Sequence, residues 1–238
     1  MNFHDMGLAV VAFFSEFLGV ISGFGSSVFF VPIALFFETM HFVMMITALL
    51  HCFANFSKIT LFKTDFSWQS FWKLAIPSIL LTAVGAIISK WFGVDRLIQI
   101  LGIFLICLAL FFFFGKPYIN KLPKSTPIVL SGLSGFFTGF LGTGGALRGL
   151  ALTAMHLEKG QFVALSSGID FAGDLIRTAI YIYHGYMDWQ QWFYIPILAI
   201  AAWLGASFGK RILEKMDQKK FDTIVTLMVL ISGIAMIF

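Results

Sequence analysis

Gly23-Phe24-Gly25-Ser26-Ser27 interrupts one long apolar run, and Gly142-Thr143-Gly144-Gly145-Ala146 interrupts another. Shifting the chain against itself by 119 positions lays the first motif on the second. The same shift pairs Ala54-Asn55 with Gly173-Asp174, Lys58 with Arg177, and Pro77 with Pro196. One position further, Gly85-Ala86 meets Gly205-Ala206 and Lys90 meets Lys210. A self-match that keeps register over so long a stretch is an internal duplication. At the centre of each copy the helix is broken by glycine.

Composition says what solvent surrounds these copies. Hydrophobic residues make up 59% of the chain and charged residues only 12%, about half the charged share of a soluble domain. Mean hydropathy is +0.91. The fold class expected is an all-α integral membrane protein, built from spans of roughly 20 residues. Apolar segments fall at 7–37, 41–62, 69–92 and 95–115. They recur at 128–156, 160–183, 190–209 and 221–238. The repeats are therefore 1–115 and 128–238, joined by a Lys/Pro-rich linker at 116–127.

The net charge of +4 does not indicate a nucleic-acid partner, because the basic residues sit in short loops between apolar runs. Cys52 and Cys107 each lie inside an apolar run and support neither a disulfide framework nor a metal site. The N-terminus lacks a basic n-region and reads as the start of the first span rather than a cleaved signal.

The broken segments either cross once or dip in and return. In the re-entrant arrangement, ten lysines and arginines from Lys63 to Lys220 lie on one side, against Lys90 and Arg96 on the other. A single crossing splits them more evenly. The positive-inside rule favours the hairpin and two inverted halves, with both termini outside.

Gly23, Gly25, Gly144 and Gly145 let the backbone leave the helix. A helix that restarts there offers unpaired N–H groups and a positive end to an anion, with Ser26, Ser27 and Thr143 adding hydroxyls. Tight helix packing is the plainer use of such glycines, but two copies in register favour a ligand cavity. Ser15, Gly19 and Gly23, and later Ala201, Gly205 and Gly209, recur every four residues as packing stripes. Arg148 lies just past the second motif. A charge there needs a partner or a purpose: an ion pair with Asp170 or Asp174, or a fork that clamps an oxyanion. Asn55 and Lys58 share a helix face with His51. In the second copy Asp170, Asp174 and Arg177 do the same. Asp174 and Arg177 are spaced to neutralise each other, whereas Asp170 has no obvious partner. Asp170, Asp174 and His51 are the candidate proton carriers, although His51 also fits a satisfied polar core position.

With these residues in hand, the chain resembles the sulfite exporter TauE/SafE family of permeases. The resemblance rests on the duplicated four-segment hydropathy, the glycine motif followed by Val31-Pro32, and Gly142-Thr143-Gly144-Gly145. Ser26-Ser27 stands where the family has consecutive glycines, and Ala151 replaces the proline in the second copy. The resemblance implies transport of a small sulfur-containing anion, such as sulfite or a sulfonate, across the inner membrane. It implies no cofactor, and its partners are the anion and lipid. Proton coupling follows by analogy. An anion channel and a non-transporting assembly protein are the alternatives. The polar residues offer no nucleophile–base pair, so an enzyme is not expected.

Overall fold

Glycine and proline set where the helices break, and apolar runs set how long they continue. The computed structural model describes residues 3–22, 25–61, 67–114, 123, 125–155, 157 and 159–213. Among these the regular structure is helical. In chain order the helices are α1 Phe3–Ser22, α2 Ser27–Ala34, α3 Met40–Leu61, α4 Trp68–Ser89, α5 Val94–Phe114, α6 Thr126–Leu141, α7 Gly145–Thr153, α8 Lys159–Tyr183 and α9 Tyr194–Leu213. Four, α3, α4, α5 and α9, are long and apolar enough to cross a membrane. The expected segments appear within a few residues of their sequence bounds. α9 is displaced along the chain, its start delayed by a short 3-10 turn at Trp189–Gln191. The span expected at 221–238 lies outside the described residues.

Both glycine motifs end a helix and reverse the chain. Gly25 has φ 86° and Gly142 φ 77°, left-handed values that glycine adopts without penalty. After the first break α2 runs back toward the start of α1: a side-chain atom placed on Gly7 would lie 3.2 Å from the Phe37 ring. After the second, Leu152 of α7 descends into a cluster with Leu74, Ala75, Leu165 and Ile169. Ser131, near the start of α6, is also at that level, donating to the Leu74 carbonyl at 3.0 Å. Each broken segment therefore folds back along its own first helix. The two breaks meet at depth, where a Cβ on Gly25 would lie 3.5 Å from the Gly145 Cα.

The remaining helices pack by close backbone approach. In lipid, apolar surface gives helices no net drive to associate, so small residues and dispersion contacts must hold them. Gly132, Gly135 and Gly139 of α6 lie against α4, and a Cβ on Gly135 or Gly139 would run into the Ser78 or Thr82 carbonyl. Gly205 and Gly209 of α9 lie on α1, with Phe13 O and Phe17 O at 2.7 and 3.0 Å from their Cβ positions. That stripe packs as its spacing suggests. The Gly19 stripe does something else: its Cβ would meet Ser26 N at 2.6 Å, so it seats the chain's own break rather than another helix.

Helices α3 and α8 run antiparallel. Asn55 bonds to Asp174, Cys52 faces Thr178, and Phe56 packs on Phe171. Asn55 and Asp174 are 119 residues apart, the offset of the sequence repeat itself.

Candidate functional site

The charges that sequence places inside the membrane gather where the two breaks meet α3 and α8. Lys58 Nζ lies 3.0 Å from Glu16 Oε2. Arg177 Nε donates to Asp174 Oδ1 at 2.8 Å. Arg148 pairs with Asp170 through Nη1, and its Nε donates to Ser166 Oγ at 3.0 Å. Asp170, expected without a partner, thus has one. Of the two partners open to Arg148, the structure selects Asp170. Three cations face three carboxylates, and each pair is buried or nearly so.

His51 links the Lys58–Glu16 pair to the Arg177–Asp174 pair. Arg177 Nη2 lies 3.3 Å from His51 Nδ1, and His51 Nε2 lies 2.9 Å from Ser26 Oγ. The Ser26 hydroxyl in turn bonds to Glu16 Oε1. Guanidinium can only donate, so His51 Nδ1 accepts and Nε2 carries the proton. The donor chain then runs from Arg177 through His51 and Ser26 to Glu16, which Lys58 also holds. Asn55 Nδ2 donates to Asp174 Oδ2 at 2.8 Å. Arg177 spends its remaining reach on the backbone of the second break, donating to Thr138 O at 3.2 Å and Gly142 O at 3.4 Å. Thr138 O also accepts the capping Gly142 N–H at 3.1 Å, so Arg177 shares that carbonyl with the end of α6.

Beside this network lies a cavity of about 30 Å³ lined by Gly19, Gly25, Asn55, Lys58, Ser166 and Asp170 among others. It has room for roughly one or two waters, and its lining comes from both copies. Ser27 is buried as the first residue of α2. Thr143 is buried, and its hydroxyl has no hydrogen-bond partner among the described residues. Gly144 caps α7 and leaves no room for a Cβ beside Ser134 and Thr138. Gly145 touches Gly25. Of the residues singled out from sequence, Gly23 lies outside the described residues. The others are drawn into the network or the glycine junction.

Sequence reasoning missed Glu16, Ser166 and Tyr181. Glu16 is fully buried and joins Ser26, Lys58 and His51. The signal was present, because a lone carboxylate inside an apolar run marks a functional position by default. It was hidden beside the Ser15/Gly19 stripe, which reads as packing. Tyr181, one turn past Arg177, donates to Gly139 O at 2.6 Å and has no motif to announce it.

A family model described as Sulfite exporter TauE/SafE matches residues 8–236. The chain belongs to the sulfite exporter TauE/SafE family. No curated protein and no solved structure matches it. TauE/SafE membership makes this a multi-pass membrane protein of a transporter family. The glycine breaks and the cation–carboxylate pairs of this TauE/SafE chain bring backbone N–H groups and cationic side chains together.

Proposed function

We propose that this protein is a secondary transporter for a small sulfur-containing anion, sulfite or a small sulfonate, and that it carries the anion with a proton. One observation supports the reading most: three buried cation–carboxylate pairs gather where both helix breaks meet α3 and α8. With His51 neutral, Lys58, Arg148 and Arg177 balance Glu16, Asp170 and Asp174. An anion entering this balanced site leaves one uncompensated negative charge in a low dielectric, where it is costly. Taking up a proton on a carboxylate or on His51 restores the balance. Arg148, bound to Asp170 at the edge of the cavity, is the cation that can exchange a carboxylate for a bidentate oxyanion. The converging starts of α2 and α7 add their dipole ends.

The duplicated motifs and the antiparallel α3 and α8 support two inverted halves that alternate access around a midplane site. The basic loops support an inner-membrane orientation with the N-terminus outside. The cavity's small volume favours a carrier in an occluded state over an open channel. The test is sulfite-driven proton movement in proteoliposomes, paired with ligand-induced thermal shifts on purified protein. Wild type should move protons inward with sulfite and gain stability by about 2.7 kcal/mol at 100 times the dissociation constant. Arg148→Gln should still insert and purify but lose both signals. Retained transport would remove Arg148 from the site.

A further inference from the structure

A second polar cavity, of about 400 Å³, lies at the opposite end of α3 and α8 from Lys58 and Phe162. Its walls come from three places. Thr39 and His41 stand at the start of α3, Lys90 at the end of α4, and His184, Tyr186 and Asp188 in the connection from α8 to α9. His41 Nε2 and His184 Nδ1 are both buried atoms with no hydrogen-bond partner among the described residues. Buried ring nitrogens are normally satisfied by protein, water or ligand. Here two histidines that each carry such a nitrogen, from separate elements, line one cavity with a lysine.

The rings are held in place rather than loose. The His41 ring lies 4.4 Å from that of Tyr186, and His184 lies 5.5 Å from it. Tyr186 is anchored through its hydroxyl to Ser89 Oγ at 3.0 Å. It also stacks on Tyr181 at 5.2 Å, and that aromatic pair separates the cavity from Arg177. Asp188 is the one carboxylate among the lining residues and is exposed. Glu38 neighbours Thr39 in sequence but does not line the cavity. No group of three metal-ligating side chains forms among the described residues, and Lys90 opposes a bound cation.

We infer that this cavity is a second, peripheral binding site for a small oxyanion, held by His41, His184 and Lys90 and strengthened by histidine protonation. It would receive an anion at the face away from the basic loops, ahead of the buried network. Its use as an entry or exit station rests on the transport reading, but binding at the site does not. Burial first, then Lys90 and His41, hold His184 below its usual 6.5. A bound anion opposes all three, so it favours the protonated ring, and by linkage acid favours the anion. Affinity is therefore greatest below the usual histidine range and is lost as pH rises through it. Each proton taken up contributes at most about tenfold per pH unit.

The experiment is calorimetric titration of the purified full chain with sodium sulfate at pH 5.5 and 7.5, on wild type, His41→Gln/His184→Gln, Lys90→Gln and Arg148→Gln. Wild type should bind at least about tenfold more tightly at the lower pH. The double histidine variant should lose that gain, exposed Lys90→Gln should weaken binding, and Arg148→Gln should keep the acid-dependent event. Binding that ignores pH, that survives the histidine changes, that disappears with Arg148→Gln, or that is absent in wild type overturns the site. Should the double variant fail to purify, Lys90→Gln alone decides: unchanged affinity refutes the proposal. Loss of transport in Arg148→Gln with sulfate binding retained separates this site from the buried one.

Discussion

Glu16 shows how one side chain organises a membrane interior. It is fully buried, yet it meets a lysine, a serine and a histidine from two other elements. Removing its charge leaves Lys58 as an uncompensated buried cation, which costs about 3–5 kcal/mol. Glu16→Gln should therefore lower unfolding stability in detergent by about that much. Removing both charges leaves nothing unpaired, so Glu16→Gln with Lys58→Met should recover most of it. Equal losses in the single and double variants would show that packing, not the ion pair, is what matters there. If the pair also serves transport, the double variant should be stable and inactive.

Among the helices, the glycines divide into those that turn the chain and those that let helices touch. Gly139 belongs to the second kind, since a methyl group there would enter the Thr82 carbonyl. Gly139→Ala should force α6 from α4 and lower stability by about 1–3 kcal/mol. Gly93 has nothing within 4 Å of its Cβ position, so Gly93→Ala should change little, and the pair of melting curves checks both. The helices themselves were legible in the sequence because apolar length is a strong signal, and so was the pairing of the two motifs, because duplication fixes the register. The direction of the chain after each motif was legible only through the lysine and arginine distribution, which favoured the hairpin. Glycine licenses a break, but the sign of the turn depends on contacts such as Gly7 with Phe37, which lie far apart in sequence. Arg148's partner was unreadable for a similar reason: Asp170 and Asp174 are one helical turn apart, and only the depth of α7 chooses between them.

For the whole molecule, the return of each broken segment predicts a labelling pattern. Met6→Cys and Phe36→Cys should react with a membrane-impermeant maleimide from the same face, and Ser125→Cys from the other. Labelling of positions 6 and 36 from opposite faces would restore the single crossing. Both cysteines native to the chain, Cys52 and Cys107, are replaced by alanine beforehand.

The packing of α1 on α9, and of α6 on α4, has a mechanical meaning. The first hairpin leans on the last described helix, and the second hairpin leans on a helix that precedes the linker. Helices of one covalent half thus pack against helices of the other. α1–α3 gather with α9, α4 gathers with α6–α8, and the two groups meet along α3 and α8. Cutting the polypeptide at the linker would leave two fragments that each own parts of both groups. A swing of one group against the other would run along the α3–α8 seam. It would shear the bond between Asn55 and Asp174. If transport proceeds by such a swing, a lock placed across that seam, rather than across the linker, should stop it.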